Sequence, residues 1–189
     1  QRVPRFEPDA GVTRLETVRV SRASADQRRG RAGRTEPGVC YRLWDEPQTV
    51  SLRPFTEPEI LSADLSSLLL DLAEWGVTDP STLLWLDPPP ASAVAVAREE
   101  LQTIGALGLD GRITAEGRRV RALPLPPRLA RMILAARSLQ AAELAAILVE
   151  RGLGGNETDL EYRMSSFRRD RSRRAEDMRG LATAWAKAA

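Results

Sequence analysis

The chain has 189 residues, enough for one large domain or two small ones, and a compact form would bury roughly 70% of its extended-chain surface. Its net charge is only +2 with a pI near 9.2, yet its 28 basic side chains comprise 27 arginines and a single lysine, and it has no histidine. A Ser-His-Asp triad, a Cys-His pair and a His-based zinc site are therefore excluded, and so is the Gly-Lys-Ser/Thr phosphate loop, because the one lysine, Lys187, stands between Ala186 and Ala188. Charge falls in blocks. Residues 1 to 46 carry 10 basic and 7 acidic side chains, 47 to 111 carry 2 and 10, 112 to 136 carry 6 and 1, and 137 to 189 carry 10 and 8, so a polyanion would meet the chain locally. The lone cysteine, Cys40, excludes an internal disulfide and suits a reducing compartment; no run approaches the ~18 apolar residues of a membrane span, and the N-terminus has no signal-peptide pattern.

In chain order, residues 1 to 22 read as extended, with apolar Val3 and Phe6, turn composition at Pro8 to Gly11, and β-favouring Leu15, Val18 and Val20. A helix or helical turn is expected over residues 24 to 34. A further strand follows at Val39 to Trp44, with Cys40 buried in it, and then a linker from Asp45 to Pro54. Thr56-Glu-Pro-Glu59 has the capping-box pattern and predicts a helix start. Leu61, Leu65, Leu68, Leu72 and Trp75 then repeat at helical spacing as a core stripe, Asp64, Asp71 and Glu74 read as solvated, and Gly76 stands where a left-handed cap would end the helix.

Asp87 to Pro90 breaks the chain, after which Val94, Ala97, Leu101 and Ile104 mark a helix from Ala91 that stops at Gly105. Leu109 to Ile113 reads as a compact turn between short strands, and Thr114 as the cap of the next helix. Three helices and a small hairpin in this order make a winged-helix pattern. Further helices are expected at 126 to 136, at 141 to 151 with an apolar face of Leu144, Ile147 and Leu148, and from Thr158 toward the end with a loosening near Gly180; Gly152 to Gly155 is a break. Arg168 to Arg174 holds five arginines and one acid. It reads as a phosphate-contacting face or, with Glu176 and Asp177 one turn on, as a solvated charged helix, the latter fitting somewhat better.

Most of the chemistry is concentrated in Gln27-Arg-Arg-Gly-Arg-Ala-Gly-Arg34. If 24 to 34 is helical, Gln27, Arg31 and Arg34 lie at i, i+4 and i+7 and share a face. Guanidinium is planar, permanently charged and forked, which suits bidentate binding of phosphate oxygens, while Gly30 and Gly33 remove side chains that would hold a ligand or backbone away. On composition alone a solvated basic helix or a loose Arg/Gly nucleic-acid segment is the better account. The residue order changes that weighing.

Gln-Arg-x-Gly-Arg-Ala-Gly-Arg resembles the last conserved motif of the DEAH-box RNA helicases. Asp9 to Ser21 with Ala23-Ser-Ala25 before it, and Gly38-Val-Cys-Tyr-Arg-Leu-Trp44, Phe55-Thr-Glu-Pro-Glu-Ile-Leu61, Leu86-Asp-Pro-Pro-Pro90 and Leu123 to Ile133 after it, are similar to the bacterial HrpB-type ATP-dependent helicases over residues 3 to 136. The resemblance implies a predominantly α chain: an α/β remnant of the second RecA-like helicase domain (1–46), a winged helix (47–124) and a partial, mainly helical, ratchet-like helicase-associated segment (125–189). It implies that Gln27, Arg31 and Arg34 face the phosphates of ATP, with Arg31 and Arg34 as arginine fingers. The phosphate loop and the acidic motif holding Mg2+ would lie on a first RecA-like domain absent here, since a chain without histidine cannot contain a DEAH box. Expected partners are single-stranded RNA or DNA and the remainder of the same helicase chain, in the cytoplasm and without a membrane. The hairpin at 1 to 22 would lie near the nucleic-acid path, although Arg2, Arg5 and Arg14 fit surface charges equally well. A chain starting at Gln1 within a strand pair is expected to be a piece of a larger protein, inactive alone.

A stand-alone winged-helix nucleic-acid-binding protein without ATPase activity is the alternative. Against it, the helix from Ala91 to Ile104 holds only Arg98, and the bases come later at Arg112, Arg118, Arg119, Arg121, Arg128 and Arg131. A third reading is an inert product whose exposed sheet edge favours aggregation.

Overall fold

A computed structural model describes residues 1–7 and 12–189, so the turn expected at Pro8 to Gly11 lies outside the described residues. The chain divides into two compact units, one of residues 1–64 with 83–91 and one of residues 65–82 with 92–189.

In the first unit, β1 (Arg2–Glu7) pairs antiparallel with β2 (Val12–Thr17), Arg2 opposite Thr17 and Glu7 opposite Val12. Two cross-strand ion pairs, Arg5–Glu16 at 3.0 Å and Arg14–Glu7 at 3.2 Å, are well exposed and contribute little to stability. Helix α1 (Arg22–Arg29) starts at Ser21, whose hydroxyl accepts from the Ser24 amide at 3.1 Å. The first two helical amides, of Arg22 and Ala23, donate to the carbonyls of Arg53 and Pro54, so a distant segment satisfies groups that a helix start leaves open.

Three expectations for this unit are corrected. Val39 to Trp44 is not a strand: no ladder partner exists for it among the described residues, and Val39, Tyr41 and Leu43 are 75%, 86% and 95% exposed. β-favouring side chains make a strand only against a neighbour, so Cys40 is exposed too. The stretch read as a linker contains a short helix, α2 (Glu46–Val50), with a proline in its first turn and the Trp44 indole donating to Thr49 Oγ1 at 3.0 Å. No helix is capped by Thr56. Its hydroxyl shares a 3.0 Å hydrogen bond with Ser21 Oγ, and only a 3₁₀ turn at Glu59–Leu61 follows. Among the described residues of this unit, Ala25 is the single buried apolar side chain.

The second unit holds the core. Helix α3 (Ser66–Glu74) ends as expected at Gly76, whose φ is +87°; Gly76 N–H reaches the Ala73 carbonyl and Val77 N–H that of Leu72, the paired bonds of a Schellman end. Of the expected stripe Leu65 and Leu72 are buried, Leu68 is half-buried, and Leu61 and Trp75 are exposed; Leu69, Leu70 and Ala73 are buried as well, and the helix begins five residues later than Leu61. Helix α4 (Ala91–Thr103) stops at Gly105 with φ +74°. The expected hairpin is reduced to one antiparallel bridge, Leu107 with Ile113. Thr114 then caps α5 (Ala115–Ala122), its hydroxyl accepting from Gly117 N–H at 2.9 Å and donating to the Gly105 carbonyl at 2.6 Å.

Helix α6 (Pro127–Ala136) opens on a proline and closes on Arg137, which adopts φ +45°, ψ +44°. Helix α7 (Leu139–Val149) buries Ala141, Ala142, Ala145, Ala146 and Ile147, while Leu144 is half-buried and Leu148 exposed. Small alanines let another backbone approach closely, which the longer leucines would prevent. The final segment breaks at Asp170 rather than near Gly180: α8 (Leu160–Arg169) is followed by α9 (Arg173–Ala188), which runs through Gly180. Asp170 accepts from Ser172 N–H at 2.8 Å and Ser172 caps α9, two side-chain bonds that compete with a continuous helix. Phe167, Ala182 and Trp185 complete the core, with Arg179 stacked 5.5 Å over Phe167.

Candidate functional site

Helix α1 ends at Arg29, so Gln27, Arg31 and Arg34 do not share one helical face as the spacing suggested. Gly30 N–H still reaches Asp26, but Arg31 and Ala32 N–H turn three residues back to Arg28 and Arg29, and the helix stops there. Two glycines within four residues account for this, each costing about 1 kcal/mol against alanine in a helix. Gln27 therefore stands on the last turn of α1, Arg31 in the tight turn after it, and Arg34 in the loop beyond. All three side chains are exposed, and among the described residues none of them makes a hydrogen bond or ion pair.

The loop that carries Arg34 is closed by a contact the sequence did not announce. A Cβ built on Gly38 would stand 1.7 Å from the Ala32 carbonyl oxygen and 2.5 Å from its carbon, so the backbones of Ala32 and Gly38 meet across a seven-residue ring. Gly30 and Gly33 have no such crowding, their nearest neighbours lying at 3.6 and 3.8 Å. Of the three glycines in and beside the motif, Gly38 is thus the one that leaves no room for a side chain. From below, the Arg42 guanidinium pairs with Asp26 on α1 at 2.5 Å and is itself only 22% exposed, which anchors the outgoing strand-like segment to the helix. A recess of about 470 Å³ lies beside it, with Val18, Ala25, Tyr41, Trp44 and Leu52 among its apolar lining and Arg19, Arg28 and Arg42 among its polar lining.

The basic run of the second unit is otherwise employed. Arg118 pairs with Glu74, Arg121 with Asp71, Arg119 and Arg131 with Glu116, and Arg128 with the buried carboxylate of Glu100. Asp71 and Glu74 are therefore ion-pair partners rather than merely solvated. Likewise Arg168 pairs with Glu143 of α7 and Arg174 with Glu150 just after that helix, not with Glu176 or Asp177. Among the described residues no cluster of His, Cys, Asp and Glu could hold a metal ion, and no described helix is long and apolar enough to cross a membrane.

Residues 97–125 match the family "Helicase associated domain (HA2), winged-helix". Over 160 residues the chain is 46% identical to ATP-dependent RNA helicase HrpB of Escherichia coli (strain K12), covering 82% of this chain and 20% of that protein. It is 38% identical over 138 residues to probable ATP-dependent RNA helicase DHX34 of Mus musculus, covering 73% of this chain and 12% of that protein. Among solved structures, the crystal structure of Escherichia coli DEAH/RHA helicase HrpB superposes with a TM-score of 0.83 at 40% identity, covering 98% of this chain and 24% of that one. A second, of E. coli DExH-box NTPase HrpB, gives 0.75 at 39%, with 98% and 23% covered. The chain thus spans about a fifth of the length of the HrpB relative it matches. The chain is thus homologous to the HrpB-type DEAH-box helicases, and it corresponds to their C-terminal helicase region with its HA2 domain.

Proposed function

We propose that this chain supplies the arginine side of an inter-domain ATP site in an ATP-dependent RNA helicase, with residues 1–46 as the end of a second RecA-like domain, 47–124 as a winged helix and 125–189 as part of a ratchet-like helical domain. The observation that carries the reading is the state of Arg31 and Arg34, two exposed guanidiniums on a closed loop with no carboxylate taking them up. Guanidiniums not already committed to a carboxylate are available where negative charge develops on a phosphate. Arg31 and Arg34 donate to γ-phosphate oxygens as the bond to the β-phosphate lengthens, and the Gln27 amide orients the same group. With one lysine in the chain and no acidic metal cluster among the described residues, the phosphate cradle and the Mg2+ ligands come from a first RecA-like domain outside it.

The remainder of the same protein is the partner for the first unit. Val39, Tyr41 and Leu43 are exposed apolar side chains, and among the described residues of that unit only Ala25 is a buried apolar side chain, so it shows almost no core of its own. Closing on ATP and reopening after hydrolysis moves the domains along single-stranded RNA, the substrate class supported by the names of its relatives. A cytoplasmic location suits the exposed free thiol of Cys40. The stand-alone winged-helix reading is not favoured, since Arg118, Arg119, Arg121, Arg128 and Arg131 are held by carboxylates. Arg34→Ala in the full-length protein tests the proposal: ATP turnover should fall by ~10³ with the fold intact, and unchanged turnover would reject the finger assignment. The isolated chain should neither hydrolyse ATP nor bind it tightly.

A further inference from the structure

The arginines at the far end of the second unit divide into two kinds. Arg163 donates to the carbonyls of Ile147 at 2.6 Å and Leu153 at 3.3 Å, Arg168 pairs with Glu143, and Arg174 pairs with Glu150 and donates to the Arg151 carbonyl at 2.8 Å. These three are internal fasteners. They neutralise Glu143 of α7 and Glu150 just after it, and they draw three carbonyls of the Ile147–Leu153 stretch inward. The side chains of Arg151, Arg169, Arg171 and Arg173 are the other kind, exposed and without a hydrogen-bond or ion-pair partner among the described residues; Arg169 ends α8, and the other three flank the start of α9.

The fasteners also fix where the free arginines stand. Because Arg174 grips Glu150 and the Arg151 carbonyl, the first turn of α9, with Arg173 and the preceding Arg171, is held against the residue bearing Arg151. Gly154 seals the same corner, for a Cβ there would lie 2.4 Å from the Arg163 carbonyl oxygen. The acids next to them in sequence do not take them up. Asp170 is engaged by Ser172 N–H, and Glu176 and Asp177, one turn along α9, have left Arg173 unpaired.

We propose that this corner, formed by Arg151, Arg171 and Arg173, is a contact for the phosphodiester backbone of a nucleic-acid strand, separate from the Arg31–Arg34 loop. Arginine rather than lysine at all three positions suits a lattice of phosphates, which accept bidentately and carry permanent charge. The inference rests on the reading that the chain serves a nucleic-acid motor, but it uses residues with no part in ATP chemistry.

The test uses the 189-residue chain and a fluorescein-labelled oligouridylate, with anisotropy titrations at about 50 to 200 mM salt. The triple variant Arg151→Gln/Arg171→Gln/Arg173→Gln should reduce the slope of log K against log salt by about 2, near 0.7 per lost phosphate contact. The corresponding triple lysine variant should keep the slope, and Arg31→Gln/Arg34→Gln should leave it unchanged. Matching urea midpoints for the variants and the parent chain exclude unfolding as the cause. An unchanged slope in the glutamine variant, absence of binding by the parent chain, or equal displacement by polyglutamate would overturn the inference. None of these outcomes bears on ATP turnover by Arg34→Ala, so the two readings fail separately.

Discussion

Gly38→Ala isolates the role of loop geometry from that of arginine charge. A Cβ at position 38 would begin 1.7 Å from the Ala32 carbonyl oxygen, and side-chain carbons do not approach backbone atoms closer than 3.0 Å. The ring between Ala32 and Gly38 must therefore open by about 1.3 Å, and both atoms involved are backbone, so no side chain can absorb the shift. Arg34 lies inside that ring and Arg31 just before it. A displacement of ~1 Å in a positioning element costs on the order of 10²-fold in rate, or about 2.7 kcal/mol in the barrier. Steady-state ATP hydrolysis by the full-length variant should thus drop about 10²-fold while every arginine remains. The circular-dichroism spectrum and the ADP affinity should match the parent protein. Turnover within about threefold of the parent, with the fold intact, would refute the argument that the Ala32–Gly38 contact places the arginines.

Other consequences concern stability and pH. Arg137 pays for a left-handed conformation at the end of α6, with φ +45°, so Arg137→Gly should raise stability by about 0.5–1 kcal/mol and the melting temperature by about 1–4 °C; a lower melting temperature would contradict this. Phe167 is fully buried, and Phe167→Ala should cost about 3–5 kcal/mol in urea unfolding, more than Tyr162→Ala at a 55% exposed site; equal losses would refute the placement of the core. Asp79 and Asp170 are held below the ordinary carboxylate range, first by hydrogen bonds from the backbone N–H of Ser81 and Ser172. A lowered folded pKa gives stabilisation that is complete above the unfolded value and lost as pH falls through the folded one. Melting temperature should consequently fall less steeply for Asp79→Asn/Asp170→Asn than for the parent on acidification below the ordinary carboxylate range, and parallel pH profiles would contradict the assignment.

Local signals with their own physical cause were legible. Gly76 and Gly105 ended helices because a left-handed residue was needed there, and Thr114 capped α5 because its hydroxyl had an amide three residues on. The failures share a different cause, competition from partners distant in sequence. Thr56 had the pattern of a cap but bonded Ser21, thirty-five residues away. Val39 to Trp44 had strand composition but no neighbouring strand among the described residues. Asp71 and Glu74 read as solvated, and Arg168 and Arg174 read against Glu176 and Asp177, whereas the partners of all four lie on other elements. In the motif, residue order marked Gln27, Arg31 and Arg34 as chemistry, while the contact that shapes their loop, Gly38 on Ala32, carries no periodic signature. Its one visible sign is a glycine after Pro37.

The central claim is that Arg31 and Arg34 act on charge that appears only during hydrolysis. It is tested most directly by comparing ADP with an ADP–aluminium fluoride transition-state analogue, both bound to full-length protein with and without Arg34→Ala. The account predicts that the variant loses ~10³-fold in analogue affinity while ADP affinity stays within about threefold, since the guanidinium is complementary to the transition state and not to the product. Equal weakening of both ligands, or of neither, would contradict it.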